Sequence, residues 1–139
     1  MRFLLIVKAN ADTEAGKLPG EEMIASMGKF NEELMKAGVL LDLNGLHPTS
    51  EGVRIEHAGG QRTVLDGPFA ASRELIAGYW LIQVRSKEEA VEWALRAPAP
   101  HGEGNEGEIE VRRVLDGEMG HGEVRQRESD LQSSLAPRR

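Results

Sequence analysis

Six side chains in this sequence are of types that do chemistry, and their positions suggest what each would do. His47 stands in Gly45-Leu-His-Pro-Thr-Ser50, where Pro48 keeps the backbone of the histidine extended and stiff. Asp66 opens Asp66-Gly-Pro-Phe69, where Pro68 fixes its own φ and turns Gly67 away from helical geometry. An imidazole beside a carboxylate can move a proton near neutral pH, because the acid orients the ring and stabilises its charged form. Asp66 and His47 are therefore the candidate catalytic pair. Each also has a plainer reading. A turn aspartate accepts backbone N–H bonds or caps the short helix after its turn, and a histidine after a strand can simply hydrogen-bond a neighbouring strand. Arg54 and Arg112, both in strand-like runs, offer forked guanidinium groups for a substrate carboxylate. Either can instead form a structural ion pair, with Asp66 or Glu110 for example. His101, in Pro98-Ala-Pro-His101-Gly102, belongs to a loop that could fold over a cleft. Tyr79 and Trp80 are neighbours on one strand and point to opposite faces, so one packs under helices while the other lines an interface or pocket.

Other chemistries are poorly served. The chain has no cysteine, which excludes disulfides, thiolate metal sites and cysteine nucleophiles. His47, His57, His101 and Asp66 would have to converge to hold a metal, and neither a His-x-His nor a His-Glu-x-x-His spacing exists, so no metal site is expected. Residues 102–107 are glycine-rich but acidic and lack the Lys-Ser/Thr of a phosphate loop. A formal net charge of −6 argues against nucleic acid or an anionic membrane as partner. No apolar run approaches the roughly 20 residues of a membrane span. The opening Met1-Arg-Phe-Leu-Leu-Ile-Val7 is interrupted at once by Lys8, Asn10 and Asp12, so it reads as a first strand and the protein as cytoplasmic.

The elements that must position these side chains are set by hydrophobic periodicity. Phe3 to Val7 is a continuous apolar strand, and residues 9–20, with Gly16, Pro19 and Gly20, are a loop. Met23, Met27, Phe30 and Leu34 recur at four, three and four, which makes an amphipathic helix over 21–37 that stops at Gly38. Val39 to Leu43 is a second strand. Val53 to His57 and Thr63 to Leu65, joined through Gly59-Gly60, read as a hairpin. Phe69 to Leu75 suggests a helical turn, and Gly78 opens a strand over Tyr79 to Arg85. Ser86 and Glu89 form a capping box for a second helix through Ala90, Trp93, Ala94 and Ala97, ended by Pro98 and Pro100. Ile109 to Leu115 is a last strand. The order is β-α-β, an inserted hairpin, then β-α-β, which is the pattern of a ferredoxin-like α+β fold. Residues 1–116 make one domain, and 117–139 a polar tail that is either mobile or weakly helical. Two helices cover one face of such a sheet, so the other face calls for a second copy of the chain, a homodimer with two-fold symmetry.

Several ordered motifs carry a family resemblance. Asp66-Gly-Pro-Phe-Ala70, Glu74-Leu-Ile-Ala-Gly-Tyr-Trp80, Ser86-Lys-Glu-Glu-Ala90 with Glu92-Trp93-Ala94, and Gly107-Glu-Ile-Glu-Val-Arg112 together resemble the DGPF-type branch of the YCII-related proteins. Gly45-Leu-His-Pro-Thr-Ser50 and Val53-Arg54 fit the same pattern, so the resemblance runs from residue 2 to about 115. It implies a dimeric α+β barrel of ferredoxin-like units. It also implies a suspected enzymatic role, with lyase-like chemistry on small organic molecules, and for some members a link to extracytoplasmic-function sigma factors. The resemblance puts the family's aspartate on Asp66 and the branch's Leu-His-Pro histidine on His47. The broader family carries its histidine in the first helix, and residues 21–37 here contain none. Ala71 stands where a glutamate is common in the branch, which leaves no carboxylate at that position.

Besides a purely structural dimer whose acidic surface docks on a basic protein, two functional classes remain open on the sequence. One is a small dimeric enzyme that eliminates or isomerises a small polar organic molecule without a bound cofactor. It would use Asp66 and His47 for proton transfer, and Arg54, His101, Arg112 and Tyr79 for binding. The other is a non-catalytic binding or regulatory module that uses the same cleft as a sensor.

Overall fold

The structure is a computed structural model, and it describes residues 1–70, 73–116 and 123–135. Six strands and four helices run in the order β1 (Arg2–Lys8), α1 (Ala11–Glu14), α2 (Glu21–Lys36), β2 (Leu40–Gly45), β3 (Val53–Ala58), β4 (Gln61–Asp66), β5 (Ile76–Gln83), α3 (Lys87–Arg96), β6 (Ile109–Arg113) and α4 (Glu123–Ser133) among the described residues. A single 3₁₀ turn, Thr49–Glu51, lies between β2 and β3.

Four of the strands form one antiparallel sheet in the order β2-β5-β1-β6. With α2 and α3 as the crossovers, this mixed α+β arrangement is compatible with the expected ferredoxin-like fold. Alternation along the strands decides the core. Phe3 and Leu5 of β1 and Trp80 and Ile82 of β5 are buried together with Phe30 and Leu34 of α2 and with Ala90 and Trp93 of α3. Phe30 is the centre of an aromatic cluster, edge-on to Trp80 at 5.2 Å and to Trp93 at 6.3 Å. The Trp80 indole N–H donates to Asn31 Oδ1 at 2.7 Å, which satisfies its one polar atom. The alternate residues Leu4, Ile6, Tyr79 and Leu81 face the other way and are only half buried.

The ends of the helices obey local chemistry. At the end of α2 the Gly38 N–H donates to the Met35 carbonyl and the Val39 N–H to that of Leu34, the paired bonds of a glycine-terminated helix. Ser86 Oγ accepts from the Glu89 N–H at 3.1 Å at the start of α3. The Glu89 carboxylate reaches one residue further back than a capping box requires, to the Arg85 N–H at 2.9 Å.

Three expectations need correction. Residues 9–20 are not all loop: Ala11–Glu14 is a helical turn, with Asn10 Oδ1 accepting from the Thr13 N–H and Thr13 Oγ1 from the Asn10 N–H, both at 2.9 Å. One turn without apolar periodicity gives no pattern to detect, and only the Asn-x-x-Thr cap marks it. The helical turn expected over 69–75 is absent at Phe69 and Ala70, and residues 71–72, including Ala71, lie outside the described residues. Strand β5 begins at Ile76 and runs through Gly78, because β1 and β2 pair with it on both sides there. In the tail, α4 is helical, and Gln126 donates to Asp130 one turn on at 2.9 Å.

Among the described residues strands β3 and β4 pair only with each other, and all twelve of their residues are exposed. Gly59 and Gly60 both have positive φ, as a two-residue hairpin turn demands. The hairpin is anchored at its base. A Cβ on Gly67 would run into the Thr49 carbonyl oxygen, so only glycine fits there. The Gly67 N–H donates to the Gly52 carbonyl, and the Gly67–Pro68 peptide is cis. Thr49 joins the two regions: its Oγ1 accepts from the Phe69 N–H at 3.0 Å and donates to Glu14 Oε2 at 2.6 Å, while its N–H donates to Glu14 Oε1 at 3.2 Å.

Candidate functional site

One end of the sheet opens into a cleft of about 1520 Å³. One wall is α1 with the segment after it, and the first half of α2 is another. The end of β2 and the start of β5 form the floor, the segment from Leu46 to Glu51 is a third wall, and the loop after α3 closes the rim. Val7, Met27, Leu43 and Trp80 give the floor its apolar character, and polar groups gather at the mouth. This is the usual division in small-molecule sites, although the cleft is wider than a closely fitted pocket.

His47 lines this cleft together with Glu51. Pro48 leads directly into the 3₁₀ turn, and that turn brings Glu51 back beneath the imidazole, with His47 Nδ1 2.9 Å from Glu51 Oε2. An Nδ1–H that donates to a carboxylate leaves Nε2 free as acceptor in the neutral ring, the arrangement of a proton acceptor with an orienting acid. The His47 side chain is 85% exposed, so solvent or a ligand reaches it freely. Sequence reasoning paired His47 with Asp66 and missed Glu51. The legible signal was His-Pro-x-x-Glu: a proline that starts a turn, with the acid four residues after the histidine.

Asp66 ends β4 opposite Val53, is exposed, and is not among the residues that line the cleft. Its carboxylate has no hydrogen-bond or ion-pair partner among the described residues. The backbone around it is held through Gly67, Thr49 and Phe69. Arg54 also lies outside the cleft lining, with its guanidinium 4.0 Å above the Phe69 ring.

Arg112 lies on β6, where its Nη1 donates to Glu110 Oε2 at 3.1 Å, and Lys8 Nζ approaches the other Glu110 oxygen at 2.9 Å. The hydrogen bonds from Lys8 and then Arg112 hold the Glu110 carboxyl below its ordinary value. A similar clamp closes the domain at its other end. Burial pushes the Asp116 carboxyl up, but the hydrogen bonds it accepts from the Arg2 side chain and backbone outweigh this, so it lies below its ordinary value.

His101 and Tyr79 both line the cleft. His101 is half buried, with Nε2 3.0 Å from the Lys8 carbonyl, and Asn105 Nδ2 donates to the His101 carbonyl at 2.7 Å, so the ring pins the rim loop to the end of β1. The Tyr79 hydroxyl donates to Asp42 Oδ2 and accepts from Asn44 Nδ2, both at 3.0 Å. Asn44 is its register partner on β2. The structure thus brings His47, His101 and Tyr79 to one cleft and leaves Asp66, Arg54 and Arg112 outside it. No group of three or more His, Cys, Asp or Glu side chains that could hold a metal exists among the described residues. Among the same residues no helix is long and apolar enough to cross a membrane.

Residues 1–118 match the YCII-related domain. The chain belongs to the YCII-related family. An uncharacterized protein of Rhizobium meliloti (strain 1021) is 31% identical to it over 74 residues, which cover 53% of this chain and 60% of that relative. The chain therefore spans about 60% of that protein's length. Neither likeness names a substrate. What a YCII-related chain does has to be argued from its cleft.

Proposed function

We propose that this YCII-related protein, a member of the DGPF branch, binds a small polar organic molecule in the cleft beside His47 and transfers a proton on it without a bound cofactor. The observation that supports the reading best is the His47–Glu51 pair at 2.9 Å on the wall of a cleft with an apolar floor. In this reading Glu51 orients the imidazole and Nε2 takes or gives the proton. His101 fixes the loop at the rim, while the Tyr79 hydroxyl is held between Asp42 and Asn44 on the opposite face of the sheet. Asp66 stands before the turn that Gly67 and Phe69 hold against Thr49. The molecule works as a homodimer of the barrel type in the cytoplasm, with the half-buried face of Leu4, Ile6 and Leu81 turned toward a second copy. Only a second copy could bring Arg54 or Arg112 to a bound anion.

The test is a metabolite panel screened by thermal shift, since a ligand stabilises by mass action whether or not it turns over. Hits should stabilise wild type and Asp66→Asn alike. In His47→Ala they should lose at least about tenfold in affinity or all turnover, while its own stability stays within about 0.5 kcal/mol. Hits that depend on Asp66 and ignore His47 would overturn the assignment. Stabilisation without turnover, with His47 still required, would favour the binding or regulatory module over the enzyme.

A further inference from the structure

Two charged side chains of strand β4 have no partner among the described residues. Arg62 and Asp66 both lie on β4, both are exposed, and neither has a hydrogen-bond or ion-pair partner among the described residues. Four residues apart on a strand, they share one face but stand roughly 13 Å apart, too far to pair with each other. Val64 lies between them on that face and is 62% exposed. Its register partner Ile55 is 51% exposed, and Val53, opposite Asp66, is 55% exposed. The face therefore reads as an apolar stripe with an acid at one end and a base at the other.

Among the described residues no strand lies beside the outer edge of β4, so its backbone N–H and C=O groups are a template for another strand. An isolated two-stranded hairpin is marginally stable in water, and additional strands stabilise it. The sequence of β4 selects its own copy as that strand. Set antiparallel to itself about Val64, it places Arg62 opposite Asp66, Thr63 opposite Leu65 and Val64 opposite Val64. A slip of one residue would put the two apolar stripes on opposite faces of the joint sheet. A slip of two would keep the stripes together but lose both ion pairs. Two-fold self-complementarity of this kind is what an interface between identical chains requires and what a foreign strand would not. The edge of β3 has a weaker counterpart, Arg54 against Glu56 about Ile55, but the Arg54 guanidinium already sits over Phe69.

We propose that β4 pairs antiparallel with β4 of a second copy about Val64. The joint sheet has four strands in the order β3-β4-β4-β3, and Asp66 of each chain meets Arg62 of the partner subunit. The apolar side chains Val53, Ile55 and Val64 of the two chains form one continuous patch. The interface is independent of the cleft, and it gives Asp66 a structural partner.

Because the chain has no cysteine, a single introduced thiol reads the register directly. Under mild oxidation Val64→Cys should give a disulfide-linked dimer, because directly opposed Cβ atoms lie about 4.5–5.5 Å apart. Ile55→Cys should not, since the two positions would be three strand spacings apart, roughly 14 Å. In sedimentation, Arg62→Asp should remove one association step and halve the mass, weakening it at least about tenfold. The swap Arg62→Asp with Asp66→Arg should restore it. Cross-linking through Ile55→Cys, no cross-linking through Val64→Cys, or an unchanged mass for Arg62→Asp would each overturn the proposal. Arg62→Asp leaves the anchored turn untouched, so it decides the matter even where Asp66→Arg disturbs folding.

Discussion

The four-stranded body and the hairpin contain strands of similar length, but they solve the strand problem in opposite ways. In the body, alternate residues of β1 and β5 reach full burial under α2 and α3, and Leu5, Leu34 and Ile82 have no exposed surface. In the hairpin no residue is buried, and the pairing is held by its glycine turn at one end and by Gly67 and Thr49 at the other. The body is shaped by its core and carries the cleft. The hairpin adds nothing to that core, and its apolar stripe has no cover among the described residues. A rigid turn such as the one Asp66 opens can therefore mark the joint between two regions, while the cleft lies elsewhere.

Substitutions can break this comparison. Leu34→Ala should cost about 3 kcal/mol in urea denaturation, since it opens a cavity among Phe30, Trp80 and Trp93. Val53→Ala on the hairpin should cost less than about 1 kcal/mol. Equal costs would mean that the hairpin shares the core. Gly67→Ala should cost about 2 kcal/mol, because the Thr49 carbonyl must move to make room and the bond from the Phe69 N–H goes with it. A neutral result would mean that the turn does not anchor the hairpin.

The smallest effect concerns the ends of the body. Glu110 and Asp116 both titrate below their ordinary values in the fold, so their contribution to stability is present above the unfolded-state values of 4.5 and 3.8. It is lost as pH falls through the folded values. Glu110→Gln should flatten the acid limb of the stability curve only slightly, as expected for an exposed pair. The melting temperature tracked from pH 7 to pH 3 checks the sign. A steeper acid limb in the variant would contradict it.

Much of the body was legible in the sequence because burial imposes a period on it. The 4-3-4 spacing from Met23 to Leu34 and the Ser86 cap locate both crossover helices, α2 and α3, to within a residue. The hairpin was legible through Gly59-Gly60. The hidden features depend on short-range geometry. The helical turn at Ala11 has no apolar stripe, and the acid nearest His47 in chemistry is Glu51, which a single 3₁₀ turn delivers. The sequence reading preferred Asp66 because a rigid turn looks like a device for holding a carboxylate. Here the rigid part is the backbone of the turn, wedged against Thr49. No pattern within a single chain shows which candidate side chains a fold gathers into one cleft. His47, His101 and Tyr79 meet only through the sheet register and the rim loop.

The central claim is that ligand chemistry belongs to the cleft of the body and not to the hairpin. An amide chemical-shift map with a stabilising metabolite tests it most directly. Shifts should cluster at His47, Ser50, Glu51, Ala77, Gly78 and His101, and residues 53–66 should stay unmoved. Shifts centred on 53–66, with the cleft silent, would contradict it.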